Sequence, residues 1–245
     1  MEPVFAVIPA YNEASTIAAV AGAARPHVDR VIVVDDGSTD GTVTALEGMD
    51  VDVLRHGVNR GKAAALWHGM ERALAQGAAA VITLDGDGQH DPAEIPALVT
   101  AWRAQPDRLV IGARLKGRGR TPPIRLFGNR MADFWISWAS GQHIRDSQSG
   151  FRLYPGGLLA KIRLPHHRAH SFVFESEVLI EAEQLGHRAS IVPIQCIYPE
   201  NRRPSHYRPT IDTLRIIAMV ARRLIGRGMR PAGLLRSLGW IKAAD

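Results

Sequence analysis

The sequence is short of cysteine and of long apolar runs, and each shortage removes a class of protein. One Cys, at position 196, in 245 residues cannot close an internal disulfide. The fold must therefore stand on a packed core, and a reducing compartment is expected. No stretch approaches the roughly 18 apolar residues that a membrane-spanning helix needs. The opening residues have neither the basic n-region nor the apolar h-region of a signal peptide. Internal repeats and low-complexity tracts are absent too. His166, His167 and His170 cluster without a Cys or acidic residue at metal-site spacing, so they read as a polar loop. Cys196 has no adjacent base and reads as a packing residue.

What is present is a balanced globular composition, 46% hydrophobic and 22% charged, ample for one α/β domain with or without an appendage. Strand-like runs at 4–8, 31–34, 51–54, 79–84 and 109–112 alternate with helical stretches at 15–24, 42–47, 59–75 and 92–104. That alternation predicts an α/β fold with a parallel, doubly wound sheet. The second half reads as an amphipathic helix at 124–140, a polar loop at 146–152, a helix at 172–185, a strand at 189–197 and an irregular segment at 198–209. Two amphipathic helices, 211–225 and 234–241, follow. The expected division is a catalytic domain over 1–209 and a basic helical tail over 210–245.

The net charge is +6, and it is unevenly placed: residues 201–245 hold nine Arg and one Lys against two Asp. A second basic group, Arg114, Lys116, Arg118, Arg120, Arg125 and Arg130, has no acidic residue among it. Such asymmetry calls for an anionic partner: lipid headgroups, nucleic acid or a phosphorylated substrate. For the C-terminal helices two readings stand. They lie on an anionic membrane surface, with Arg on the polar side, or they pack on the domain or form a homo-oligomer contact.

The chemistry centres on residues 81–92. A buried-strand pattern, Val81-Ile82-Thr83-Leu84, runs into Asp85-Gly86-Asp87-Gly88-Gln89. In an extended segment Asp85, Asp87 and Gln89 point the same way. Three oxygen-bearing side chains suit a hard cation, Mg²⁺ or Mn²⁺; an ordinary surface turn is the competing reading. Loops 9–13, 35–41 and 85–91 follow strands and share one rim of a parallel sheet. They bring together Glu13, Asp35, Asp36, Asp85 and Asp87, which repel unless a cation or hydrogen-bond donors bind there. Lys62, at a helix start, either holds a phosphate or pairs with a carboxylate. The spacing before Gly61-Lys62 is not that of a P-loop.

Five motifs occur in order: Pro9-Ala10-Tyr11-Asn12-Glu13, Asp35-Asp36-Gly37-Ser38-Thr39-Asp40, Asn59-Arg60-Gly61-Lys62, Asp85-Gly86-Asp87-Gly88-Gln89-His90-Asp91-Pro92 and Ser149-Gly150-Phe151-Arg152. Together they resemble the family 2 inverting glycosyltransferases of GT-A fold, above all the dolichyl- and polyprenyl-phosphate mannose or glucose synthases. The resemblance covers roughly 3–210. It implies a nucleotide-sugar half over about 1–115 and an acceptor half over about 116–209. Pro9, Tyr11, Glu13 and Asp36, or Asp35, would line the nucleoside pocket. Asp85 would sit by the ribose or diphosphate, and Asp87 and Gln89 would hold Mg²⁺ or Mn²⁺. Arg114, and less closely Arg125, resemble arginines that face the acceptor phosphate. Arg203 and Ser205 resemble a loop that closes over the donor phosphates. Two departures stand out: Gly86 replaces the family's usual Ala, and Gly-Ala-Arg at 112–114 replaces Gly-Ser-Arg.

The resemblance implies transfer of a sugar from a nucleotide-sugar donor to a lipid phosphate, by an enzyme peripheral on the inner, cytoplasmic face of a membrane. A lipid-phosphate oxygen is already anionic and needs no strong base. A hydroxyl acceptor, in a soluble glycosyltransferase, requires one, and Asp146 is the candidate, its alternative role being to cap the turn at 147–150. Glu175 and Glu177, two apart on a helix, diverge, so at most one faces the site. A nucleotidyltransferase is disfavoured because 9–13 is acidic where a basic Gly-rich loop is expected. A nucleic-acid module is disfavoured by the acidic rim and by the lack of aromatic platforms among the arginines.

Overall fold

The computed structural model describes residues 2–116, 123–166, 173–195, 197, 209–238 and 240, without the side chains of 123–127 and 209–214. The strands are β1 (Val4–Ala10), β2 (Arg30–Asp35), β3 (Asp52–Arg55), β4 (Ala80–Thr83), β5 (Leu109–Lys116), β6 (Arg152–Pro155) and β7 (Ala189–Gln195). The helices are α1 (Ile17–Ala24), α2 (Lys62–Ala75), α3 (Ile95–Ala104), α4 (Pro123–Ser140), α5 (Gly156–Leu159), α6 (Phe174–Gln184), α7 (Pro209–Ile225) and α8 (Pro231–Ser237). One sheet runs β3-β2-β1-β4-β6-β5-β7.

Alternation along β1 explains the layers. Phe5 and Val7 face a core shared with α2, α4, α6 and α7. Ala6 and Ile8 face the opposite core, under α1 and α3. Strands β1, β2 and β4 are parallel and end together, with Ala10 beside Asp35 and Val7 beside Thr83. Their following loops therefore meet on one edge, as a parallel sheet requires.

The sheet is mostly parallel, as the family resemblance implies, and the exception is β6, which falls where the sequence reads as the end of a polar loop. It inserts antiparallel between β4 and β5, pairing Thr83 with Arg152 and Ile111 with Arg152. A four-residue strand that begins on arginine gives no apolar run to read. Arg152 is nonetheless fully buried, because carbonyls solvate its guanidinium. Smaller differences lie at element ends. The helix expected at 42–47 is a single 3₁₀ turn, Thr44–Leu46. The last helix starts at Pro231 rather than 234, where a proline in the first turn is favourable.

Helices α7 and α8 pack on the domain. Met219, Val220 and Leu224 are buried in the core shared with α4 and α6. Arg223 pairs with Glu177 at 2.8 Å and Glu181 at 2.9 Å, and Arg227 and Arg230 reach Glu183 at 3.1 and 2.7 Å. Arginines expected on a solvent face thus turn inward onto α6. Burial pushes the Glu183 carboxyl up, but Arg230 and Arg227 more than offset this and hold it below its usual value. A depressed carboxylate contributes stability above its unfolded pKa and loses it as pH falls through the folded one. Glu183→Gln should therefore lower the urea midpoint at neutral pH, with the gap to wild type narrowing below about pH 4.5. A gap constant with pH would contradict this.

Candidate active site

The loop after β1 and the loop after β2 are laced together by their own backbone and hydroxyls. Asn12 N–H donates to Ser38 Oγ at 2.9 Å, Glu13 N–H to Thr42 Oγ1 at 2.8 Å, and Thr39 N–H to Asn12 Oδ1 at 2.8 Å. Asn12 takes φ of 58°, a conformation Asn tolerates better than most residues. Thr16 donates to the Gly86 carbonyl at 2.7 Å, which ties in the loop after β4. Gly37 is required, since a Cβ there would stand 2.6 Å from the Val58 carbonyl carbon. Pro9, Tyr11 and Glu13 are half-buried along this edge.

Asp35 and Asp36 are both buried, and they differ. The Asp35 carboxylate accepts from Ser38 N–H at 3.0 Å, and Arg55 Nε lies 3.3 Å from its other oxygen. Asp36 accepts from Arg60 N–H at 2.8 Å and Gly61 N–H at 2.7 Å, and meets His56 Nδ1 at 2.7 Å. It thereby fixes the turn that launches α2 and Lys62. His56 Nε2 lies 2.8 Å from His68 Nδ1. Burial and the neighbouring His56 keep His68 below the usual imidazole pKa. His56 Nδ1 donates to the Asp36 carboxylate.

At the centre of the edge, Lys62 Nζ lies 2.6 Å from Asp85 Oδ1 and 3.0 Å from Glu175 Oε2. Burial pushes the Asp85 carboxyl up, yet Lys62 and His90 pull it to about 2. Burial disfavours the Lys62 ammonium, and the two carboxylates outweigh it, raising its pKa. Both therefore carry charge throughout the physiological range. Glu175 Oε1 is buried and accepts no hydrogen bond among the described residues. Gly150 is the floor between the carboxylates: a Cβ there would lie 2.9 Å from Asp85 Oδ2 and 3.1 Å from Glu175 Oε1. Thr83 Oγ1 donates to the Gly150 carbonyl at 2.7 Å. Arg152 binds the carbonyls of Ser149 at 2.8 Å, Ser147 at 2.7 Å, and Glu175.

Asp87 and Gln89 face each other. Gln89 N–H donates to Asp87 Oδ1 at 3.0 Å, and its side-chain amide meets Asp87 Oδ2. Turning that amide over would set its oxygen beside the carboxylate, an all-oxygen donor pair that fits Mg²⁺ or Mn²⁺. Among the described residues no cluster of three His, Cys, Asp or Glu has the arrangement of a metal site. A cation here would take its remaining ligands from water or substrate.

On β5, Arg114 is locked to Asp146. Its backbone N–H, Nε and Nη2 reach the Asp146 carboxylate at 2.7, 2.9 and 2.8 Å. Asp146 is buried with φ of 57°. Asp133 holds the backbone N–H groups of Asp146 and Ser147 at 2.9 and 2.7 Å. Arg114 is near enough to help lower the Asp85 pKa, so it belongs to the same edge. Arg114→Ala would take the guanidinium away from a buried carboxylate and should cost about 3 kcal/mol of stability. An unfolding free energy unchanged by Arg114→Ala would show the pair to be incidental.

Of the residues expected at the site, Pro9, Tyr11, Glu13, Asp35, Asp36, Lys62, Asp85, Asp87, Gln89, Arg114 and Asp146 lie along this edge or on the elements that bound it. Arg125 lies on α4 with its side chain outside the described set, and Arg203 and Ser205 lie outside the described residues. Glu175 is the residue that spacing alone did not choose. Glu177, its alternative, points instead to Arg223. The signal was local: Glu175 lies one residue into α6, where the helix end meets the strand edge.

Comparison with known proteins agrees with this geometry. The family model for glycosyl transferase family 2 matches residues 5–160. A UDP-N-acetylglucosamine–dolichyl-phosphate N-acetylglucosaminyltransferase of Methanococcus voltae is 30% identical, over 80% of this chain and 86% of the relative. A polyprenol monophosphomannose synthase of Mycolicibacterium smegmatis is 32% identical, over 77% and 75%. Among solved structures, glucosyl-3-phosphoglycerate synthase of Mycobacterium tuberculosis superposes with a TM-score of 0.66 at 22% identity, covering 99% of this chain and 82% of that one. The seven-stranded, mostly parallel sheet, the laced acidic edge and the matched residues lead to one conclusion: the chain belongs to glycosyl transferase family 2 and is a glycosyltransferase of GT-A fold.

Proposed function

We propose that this glycosyltransferase moves a sugar from a nucleotide-sugar to a polyprenyl-phosphate acceptor at a membrane surface, with inversion at the anomeric carbon and with Mg²⁺ or Mn²⁺ bound at Asp87 and Gln89. The observation that carries the reading is the state of Asp146. Arg114 occupies its carboxylate three times over, so the nearest candidate base is committed to holding an arginine. An acceptor that arrives as an anionic phosphate needs a positioned cation and no base. The named relatives act on dolichyl and polyprenyl phosphates, which supports the same choice.

In this reading the residues of the edge divide the roles. Tyr11, Glu13, Asp35 and Asp36 bound the nucleoside pocket, and Asp36 also sets the turn before Lys62. Lys62 pairs with both Asp85 and Glu175 and keeps Asp85 ionised beside the sugar and ribose. The free oxygen of Glu175 accepts a hydroxyl of the transferred sugar, which orients the ring for attack from the face opposite the leaving group. Arg114 positions the acceptor phosphate, and the family resemblance assigns Arg125 to the same phosphate and Arg203 and Ser205 to the donor phosphates. A cation held by Asp87 and Gln89 would neutralise charge on the departing diphosphate as a Lewis acid. The tuberculosis neighbour was crystallised with Mn²⁺ and uridine diphosphate; here the support is the oxygen pair itself. Among the described residues no helix is long and apolar enough to cross a membrane, so the enzyme would work from the surface.

The test is a panel of nucleotide-sugars with Mn²⁺ or Mg²⁺, with and without a short polyprenyl phosphate, following nucleoside diphosphate release. Release that requires the lipid phosphate is expected. Release supported equally by a glycan or small-molecule hydroxyl would overturn the acceptor assignment.

A further inference from the structure

One arginine of α7 turns inward, and much of what the helix exposes is apolar. Arg223 is turned onto α6, while Met219, Val220 and Leu224 enter the core. The opposite side of the helix carries Ile217, Ala218, Ala221 and Ile225, all exposed, the two isoleucines at 53% and 71%. Arg215 and Arg222 are exposed along its flank. From 213 to 238 the sequence has no Asp or Glu. A helix that buries one apolar side and exposes another has a second medium to meet.

We infer that this outer stripe of α7 is the surface by which the enzyme lies on an anionic lipid bilayer, with Ile217 and Ile225 in the acyl boundary and Arg215 and Arg222 among the headgroups. Three observations choose a bilayer over a second copy of the chain. The stripe is about 12 Å long and one helix wide, far below the roughly 800 Å² per partner of a stable interface. The exposed Arg222 beside it, in a stretch from 213 to 238 with no Asp or Glu, complements anionic headgroups and repels its own copy. Its direction also fits. Arg223 meets Glu177 and Glu181 while Arg227 meets Glu183, so α7 runs parallel to α6. The end of α6 that carries Glu175 into the site is therefore the end toward which Ile217 lies, about 9 Å beyond Arg223. A bilayer on this stripe would meet the active-site edge where a lipid phosphate must arrive.

The inference rests on the lipid-phosphate reading above, and the experiment separates the two. Full-length protein is sedimented with vesicles of phosphatidylcholine, with and without phosphatidylglycerol. The expected result is binding that needs phosphatidylglycerol, weakened about tenfold or more by the double change Ile217→Gln and Ile225→Gln, and weakened by Arg222→Gln on the anionic vesicles alone. On a short, water-soluble polyprenyl phosphate the double variant should turn over as wild type does. Vesicle binding unchanged in the double variant, equal binding to both vesicles, or a wild-type dimer that the double variant breaks would each overturn the assignment. Turnover that ignores lipid phosphate, with vesicle binding as expected, would instead overturn the acceptor reading.

Discussion

Asp87→Ala should lower nucleoside diphosphate release on the order of a thousandfold, since a cation that neutralises a leaving diphosphate contributes several kcal/mol to the transition state. The fold should survive. Asp87 is half-buried, and its contacts are to Gln89, two residues away. A surface turn that loses such a contact changes stability little. The loss should fall on kcat, with the melting temperature unchanged, because the interaction matters most when charge develops. Near-wild-type turnover in Asp87→Ala would return residues 85–91 to the surface-turn reading.

Lys62→Met should be the other large effect, and it should act on stability and turnover together. Asp85 and Glu175 share one ammonium, at 2.6 and 3.0 Å, across a floor where Gly150 leaves no room for a side chain. Without Lys62 the two carboxylates face each other and one must take a proton or move apart. With Lys62 only 28% exposed, the change should cost about 2 kcal/mol and reduce kcat/KM about a hundredfold. Glu175→Gln in that background should return part of the stability, because the second negative charge is gone, without returning the activity. A double-mutant cycle in urea measures this directly. Strictly additive costs would mean that Lys62 and Glu175 do not share the site as described.

The parallel half of the sheet was legible because its strands are uninterrupted apolar runs that end on Asp, Asn and Gly. Val31 to Val34 and Val81 to Leu84 are buried on both faces, so nothing competes with the strand signal. Strand β6 was not legible, because Arg152 looks like a loop residue until the carbonyls of Ser147, Ser149 and Glu175 are in place around it. The acidic edge was read from motif order, and its polar lacing by Asn12, Ser38 and Thr42 could not be. The pairing of Asp146 with Arg114 joins residues 32 apart, and no local pattern announces it. The tail was read with the right amphipathic period and with two partners open, the domain or a membrane; the sequence could not show that Glu177, Glu181 and Glu183 on α6 draw in Arg223, Arg227 and Arg230.

The most direct measurement is Mn²⁺ binding by electron paramagnetic resonance, with uridine or guanosine diphosphate added to wild type and to Asp87→Ala. The account predicts that, beyond the fall caused by the nucleoside diphosphate alone, the free-ion signal drops further with wild type when the matching nucleoside diphosphate is present and no further with the variant. Equal loss of the signal in both proteins would contradict it, since the cation would then be held by something other than Asp87 and its neighbouring amide.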